Sequence, residues 1–213
     1  MAIADGMAIN CSDLQAVGGT RFIAIRKWID TDTVSFDDTE HDITFIKQDS
    51  ATPGTPEPAE WGIYESRIES SSLTISATNE GKEFTTYDCA VSWFIPGLTA
   101  AQFKQLHSFE GGDCLMVMVI DNNDYSSGTQ VPATGMTYAS NKVIGVSNTL
   151  QNQDKPSRTQ QYCTLRSIEG GTGAAFSDEI GVTVTVGCMM YETPRNYAGT
   201  IAIDADGLGL TTV

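Results

Sequence analysis

Apolar and polar residues alternate with a period of two along much of the chain, and this pattern predicts β-strands. In Ser72–Thr78 the apolar residues Leu73, Ile75 and Ala77 alternate with hydroxyl residues, as expected for a strand with one buried face. Cys114–Ile120 is apolar at every position, which predicts a central strand buried on both faces. Further strands are predicted at Arg21–Ile29, Ile43–Gln48, Trp61–Glu69, Phe84–Ile95, Lys142–Gln151, Gln160–Arg166, Ile180–Tyr191 and Ile201–Ile203.

One segment has a helical pattern instead. Thr99 and Gln102 have the spacing of a capping box, and Ala100–Phe109 follows with Phe103 and Leu106 on its apolar side. Many short strands with a single helix favour a mainly β fold. We therefore expect a two-sheet β-sandwich or barrel with one flanking α-helix at about residues 99–109.

Two segments look like additions to a single domain that spans residues 21–213. Residues 1–20 mix small and polar residues with scattered apolar ones, which predicts an N-terminal arm. Residues 49–60 contain three prolines, which cannot donate hydrogen bonds to a β-ladder, so we expect a long inserted loop that contacts a neighbouring subunit.

The net charge of the chain argues against nucleic acids and anionic membranes as binding partners. The chain has 12 Lys and Arg residues against 27 Asp and Glu residues, a formal net charge of −15. Such a chain lacks the clustered cations that neutralise phosphates in nucleic-acid binding, and anionic membrane surfaces repel it. The N-terminus shows no signal-peptide pattern and the longest apolar run is Cys114–Ile120, so we expect synthesis in a cytoplasm and no membrane partner.

The five cysteines form no pattern of a disulfide framework or a zinc ribbon, because their number is odd and no CxxC occurs. Cys89, Cys114, Cys163 and Cys188 lie in apolar, strand-like stretches and are interpreted as small buried hydrophobic residues. Cys11 lies in the arm, where it could form an intermolecular disulfide, although a reducing compartment favours a free thiol.

Motifs of known catalytic centres are missing from the sequence. It contains no HExxH, GxSxG, Walker-type or GxGxxG pattern. The sequence has two histidines. His41 lies beside acidic residues that we expect to be solvated, whereas His107 lies at the end of the predicted helix. The Asp- and Asn-rich segments 121–124 and 204–207 lack the ligand spacing of an EF-hand loop. We therefore expect no catalytic residue, no cofactor and no metal site.

Four features together resemble phage tail tube proteins and their relatives in contractile injection systems. They are the single capped helix between strands, the arm at 1–20, the loop at 49–60 and the strong negative charge. The resemblance is architectural and implies a β-sandwich that assembles into stacked hexameric rings. It further implies a virion protein, assembled in the host cytoplasm, whose partners are other copies and tail proteins such as a sheath or a terminator.

The resemblance also implies an acidic lumen through which DNA passes without specific binding, since like charge keeps phosphates mobile. The residues expected to face the lumen are Ser72, Thr74, Ser76, Thr78, Glu80, Glu83 and Asp88. The residues expected at subunit contacts are Met7, Ile9, Leu14, Pro53, Pro56 and Pro58.

Two other functions fit the same pattern. One is another virion component, such as a neck, terminator or capsid-decorating protein. The second is a carbohydrate-binding or adhesin module, which would need exposed aromatic residues. Its candidates are the three tryptophans, Trp28, Trp61 and Trp93.

Overall fold

The computed structural model of the chain describes its β-sheets and one helix. The described residues are 20–28, 33–39, 41–49, 56–65, 70–79, 85–97, 99–107, 114–121, 129–130, 141–147, 162–171, 180–199, 201–203 and 209–212. These residues form one helix, α1 (Ala100–His107), and fourteen strands. The strands are β1 (Thr20–Lys27), β2 (Thr33–Asp37), β3 (Asp42–Asp49), β4 (Pro56–Glu65), β5 (Ser71–Thr78), β6 (Thr86–Pro96), β7 (Leu115–Asp121), β8 (Thr129–Gln130), β9 (Lys142–Ile144), β10 (Thr164–Gly171), β11 (Gly181–Met190), β12 (Arg195–Tyr197), β13 (Ile201–Ile203) and β14 (Gly209–Thr212).

The smaller sheet has four antiparallel strands in the order β10-β11-β6-β5. Its long central strands β6 and β11 pair without interruption from Gly181 opposite Pro96 to Met190 opposite Tyr87. Successive side chains of a strand point to opposite faces, so the alternating sequence gives this sheet one apolar and one polar face.

The larger sheet has ten strands and partly closes on itself. Its order is β2-β3-β12-β9-β7-β1-β4-β14-β13-β8, and β3 also pairs with β4. The strands β3, β12, β9, β7, β1 and β4 therefore form a closed ring of ladders, as in a small barrel. The fold is thus mainly β and built from two sheets, as the sequence predicts.

Two hydrophobic cores result from this arrangement. The first lies between the sheets and joins β1, β7 and β9 to the apolar face of the smaller sheet. The second receives side chains from all six strands of the closed ring, so it fills the ring's interior. Leu115, Val117 and Val119 of β7 belong to the first core, whereas Met116 and Met118 belong to the second. The prediction that Cys114–Ile120 is buried on both faces is confirmed for Leu115–Ile120.

Several strands were not predicted. β2, β12 and β14 are five residues or fewer, too short for an alternating pattern to be recognised. Lys142–Gln151 was predicted as one strand, but β9 ends at Ile144. Gly145 follows with a φ of 88°, in the left-handed region that favours glycine.

The predicted loop at 49–60 is wrong over much of its length. Asp49 ends β3 and Pro56 begins β4, and these two residues face each other in the β3–β4 ladder. Pro56 and Pro58 are two residues apart, so both of their nitrogens, which carry no hydrogen, point to the same side of the strand. Pairing with β3 on the other side is therefore compatible with both prolines. Residues 50–55 lie outside the described residues.

The helix has a narrower buried side than its sequence predicts. Leu106 is buried in the core between the sheets, whereas the Phe103 side chain is 50 % exposed. α1 ends at His107, and Phe109 lies outside the described residues. Thr20, assigned to the arm, is buried in β1, and the rest of the predicted arm lies outside the described residues.

Replacement of Trp93 by alanine tests the core between the sheets. Trp93 is fully buried in β6, so Trp93→Ala should lower the free energy of unfolding by about 3–5 kcal/mol in urea denaturation. Thr74→Ala on the neighbouring strand is the control. Thr74 is exposed, and its truncation should change stability by less than about 0.5 kcal/mol. Equal effects of the two substitutions would contradict the core assignment.

Candidate functional site

The four-stranded sheet has a polar face that the described strands build from residues on every strand. On β5, Ser72, Thr74, Ser76 and Thr78 are all exposed on this face. The register places them opposite Ser92, Ala90, Asp88 and Thr86 of β6. The sequence predicted these four β5 residues as a polar face, and the structure brings them together with Asp88. We call this surface the hydroxyl face.

A row of hydroxyl groups crosses all four strands of the hydroxyl face. Ser72 lies opposite Ser92, Ser92 opposite Thr185, and Thr185 opposite Ser167. The hydroxyl groups of Thr185 and Ser92 are 3.4 Å apart, with Thr185 as donor. Hydroxyl groups both donate and accept hydrogen bonds, so this row binds water readily and carries no charge.

One ion pair spans three strands of the same face. The guanidinium of Arg166, at the irregularity in β10, contacts the carboxylate of Asp88 on β6. Gly187 of β11 lies between them, and a Cβ atom there would come within 2.5 Å of the Arg166 Nε atom. Because glycine has no Cβ atom, the Arg166 side chain can pass over this position. The hydrogen bond from Arg166, together with its positive charge, lowers the pKa of Asp88, and partial burial opposes the shift.

The described part of the hydroxyl face is less acidic than the sequence led us to expect. The charge of Asp88 is compensated by Arg166, and Glu169 of β10 adds one further carboxylate. The other acidic candidates for a lumen, Glu80 and Glu83, lie outside the described residues. Hydroxyl groups, rather than carboxylates, thus dominate this surface.

The two edges of the sheet differ in chemistry. β5, at one edge, contains no charged residue, no proline and no irregularity in its ladder with β6. Natural edge strands are usually protected from pairing by such features. β10, at the opposite edge, has a register irregularity between Leu165 and Ser167 and carries Arg166 and Glu169. In the described part of the chain, β5 pairs with β6 alone and β10 pairs with β11 alone among the named strands.

An apolar side chain is exposed beside the β5 edge. Ile75 lies opposite Cys89 and thus points to the core side of the sheet, yet it is 43 % exposed. Leu73, two residues earlier on the same side, packs against the core. The core between the sheets is therefore incompletely covered near the end of β5 by the described residues.

The other sequence candidates are placed only in part. Met7, Ile9, Leu14 and Pro53 lie outside the described residues. Pro56 and Pro58 lie in β4, where their backbone faces β3, so they do not belong to a projecting loop.

A second polar cluster, which the sequence did not reveal, joins β2 to the start of β12. The side chain of Arg195 is buried, and its guanidinium donates two hydrogen bonds of 3.1 and 3.0 Å to the Glu192 carboxylate. It also lies 2.9 Å from the Asp38 carboxylate and 3.3 Å from the carbonyl oxygen of Asp37. The guanidinium carbon lies 5.2 Å from the centre of the Phe36 ring. These contacts hold the end of β2 against the start of β12 and leave the guanidinium fully engaged.

His41 belongs to the same region. Its Nε2 atom lies 2.8 Å from the Thr193 hydroxyl oxygen and 3.2 Å from the Thr193 carbonyl oxygen. Its φ of 59° fits the turn between β2 and β3. The ring nitrogen thus has a local partner, which gives His41 a structural role in joining the β2–β3 turn to the segment before β12.

The described residues contain no group of three or more His, Cys, Asp or Glu side chains arranged to hold a metal ion. Nor does any described helix combine the length and hydrophobicity needed to cross a membrane. No family model, curated protein or solved structure matches the chain. Its function is therefore argued from the hydroxyl face, its edges and its charges.

The Asp88–Arg166 pair predicts a pH-dependent contribution to stability. The folded state lowers the pKa of Asp88 below its unfolded value near 4, so the stabilisation is present above about pH 4 and is lost as the pH falls. Because the Asp88 side chain is 42 % exposed, we expect less than about 1 kcal/mol. Urea unfolding of wild type and Asp88→Asn between pH 6 and pH 2 measures it. Arg166→Met should remove the same pH dependence. A difference between wild type and Asp88→Asn that stays constant over this range would refute the pair.

Proposed function

We propose that the protein is a virion structural protein, the subunit of a phage tail tube in which rings stack around a channel for DNA. The observation that carries the proposal is the four-stranded sheet. It packs one face against the core and presents the other as an exposed hydroxyl face, and its edge strands β5 and β10 each pair with a single named strand among the described residues. The helix α1 and the strong negative charge of the chain are consistent with the same family resemblance.

The chemistry of the hydroxyl face suits a surface past which DNA moves. A protein that holds DNA neutralises phosphates with Lys and Arg. On the described part of this face the cation is Arg166, and Asp88 already compensates its charge. Hydroxyl groups keep the wall hydrated, and hydrated neutral groups offer phosphates no stronger partner than water. DNA would therefore pass without being bound.

Two of the acidic residues that contribute to the net negative charge are Glu80 and Glu83. In sequence, Glu80 and Glu83 fall between β5 and β6, and we propose that they belong to the acidic lumen. In a ring these carboxylates would repeat around one rim of the channel. Repulsion at a rim keeps DNA centred, while the neutral wall leaves it free to slide.

The edges provide the means of assembly. β5 and β10 are the two edge strands of one sheet, at its opposite edges. Pairing of β5 of one copy with β10 of the next therefore joins two different surfaces of the subunit. Repeated contacts of this head-to-tail kind close into a ring when the rotation per subunit divides a full turn. The unprotected backbone of β5 and the exposed Ile75 beside it would be covered by the neighbour. The resemblance gives six as the number of copies.

The positions of the three tryptophans argue against carbohydrate binding, for which the sequence offered them as candidates. Trp61 and Trp93 are buried, and Trp28 is half-buried and packs against Tyr162. None of the three presents an exposed ring on which a sugar could stack. On the described part of the hydroxyl face, the aromatic residue is Phe94, which lies opposite Thr183 and is half-buried, so the described residues form no broad exposed aromatic platform there.

Electron microscopy of the purified full-length protein in negative stain tests the proposal. A tube subunit should form rings that stack into cylinders of uniform diameter. Single rings that never stack would favour a terminator or neck protein, one of the other virion components. A uniform monomer at high concentration would contradict the assembly by open edges.

Two substitutions on β5 separate assembly from the channel wall. Ile75→Lys places a charge on the core side of the open edge, where a neighbour would pack, and should abolish cylinders while the monomer stays folded. Thr74→Lys places the same charge on the hydroxyl face and should leave cylinders intact. Sedimentation velocity and circular dichroism measure assembly and folding.

The cylinders of Thr74→Lys should in addition retain DNA in a salt-dependent manner, because each copy adds a cation to the channel wall. Wild-type cylinders should release DNA at low and high salt alike. Assembly of Ile75→Lys at the wild-type level would show that β5 is not the contact. Failure of Thr74→Lys cylinders to bind DNA would show that this face does not line the channel.

A further inference from the structure

Three cysteines form a row across the apolar face of the four-stranded sheet. Cys89 of β6 lies directly opposite Cys188 of β11. Thr164 of β10 lies opposite Gly187, which places the preceding residue, Cys163, beside Cys188 on its other side. All three are buried in the core between the sheets and are free thiols. Cys188 is therefore the central thiol, with a possible partner on each side.

The distances in such a row suit a disulfide bond. Directly opposed residues of antiparallel strands have Cα atoms roughly 4.5–5.5 Å apart, within the range of about 4.4–6.8 Å that a disulfide needs. Continuation of the β10–β11 register past the pair Thr164 and Gly187 sets Cys163 beside Cys188, and both side chains belong to the same buried core. Formation of this bond therefore requires little movement of the backbone.

Burial controls when the thiols can react. Burial, with a smaller contribution from the neighbouring Cys188, raises the pKa of Cys89 to about 12, and burial raises that of Cys163 well above its usual value. Because the thiolate is the nucleophile, exchange is slow while the core is closed. Cys163 directly precedes β10, so an opening of β10 that also breaks the two hydrogen bonds between Cys163 and Leu115 exposes Cys163 and Cys188 before the central Cys89.

We propose that Cys188 and Cys163 form a redox-responsive disulfide site that reacts with low-molecular-weight disulfides when the β10 edge opens. A thiolate of one cysteine attacks the small disulfide, forms a mixed disulfide and releases one small thiol. The thiolate of the other cysteine then attacks the protein sulfur of that mixed disulfide and releases the second small thiol. The two protein thiols lose two electrons and two protons, and the small disulfide gains them.

The bond would connect more than two strands. The backbone of Cys163 pairs with Leu115 of the larger sheet through hydrogen bonds of 2.8 and 2.9 Å. A Cys163–Cys188 disulfide thus joins β11 to the segment that holds both sheets together, next to the β10 edge. Oxidation should therefore protect this edge from opening. The inference does not depend on the proposed function, because it rests on the register and burial of the thiols.

The test uses the full-length chain and oxidised glutathione as probe. The protein is incubated in urea just below its unfolding transition, returned to buffer, and then unfolded and alkylated. Alkylation should fall from five thiols to three, and the melting temperature should rise. Cleavage after Lys and Arg separates the three cysteines onto peptides 83–104, 159–166 and 167–195. The linked pair should be 159–166 with 167–195.

Variants make the assignment specific. Cys114→Ala, outside the row, should leave the linkage unchanged. Cys163→Ala should transfer it to the pair Cys89–Cys188, with slower formation because β6 and β11 are central strands. Cys188→Ala should keep its four remaining thiols free, and if it fails to fold, the Cys163→Ala transfer decides. The proposal is overturned if wild type keeps five thiols or if the bond involves Cys11 or Cys114.

Discussion

The β1–β7 ladder is the constraint on which the two cores depend, because both of its faces are buried. Residues of β7 alternate between the core shared with the smaller sheet and the interior of the closed ring. A shift of one residue in this ladder would exchange the two sets and leave each core filled by the wrong side chains. The position of the smaller sheet therefore follows from the register of two strands in the larger one.

The hydroxyl face follows from the same constraint. With its apolar face covered by β1, β7 and β9, the smaller sheet has one surface left to expose. Serine and threonine pack well on a pleated strand and remain hydrated, so they make such a face without adding charge. The side chain of Arg166 passes over Gly187 to reach Asp88. The Asp88 carboxylate compensates the charge of this guanidinium, which could otherwise bind a phosphate. Under the proposed function, fold stability and a channel wall that does not bind DNA would thus require the same alternation of residues.

The sequence predicted what is encoded locally. The unbroken apolar run in Cys114–Ile120 predicted burial on both faces, which is confirmed for Leu115–Ile120. The alternation in Ser72–Thr78 predicted a strand with one polar face, which is confirmed, but its apolar face is buried only in part, since Leu73 is half-buried and Ile75 is exposed. The ion pair of Asp88 and Arg166 joins residues 78 positions apart and depends on the register of three strands, so no local pattern could reveal it. The cluster around Arg195 was missed for the same reason. The prolines misled because the pattern does not show which side of a strand is paired.

The proposal that the hydroxyl face lines a channel can be tested by a three-dimensional reconstruction of the assembled protein by electron cryomicroscopy. This proposal predicts that the side chains of Ser72, Thr74, Ser76 and Thr78 point toward the symmetry axis. It also predicts that β5 of each copy lies beside β10 of the next. A reconstruction with these residues on the outer surface, or packed within a contact between copies, would contradict it.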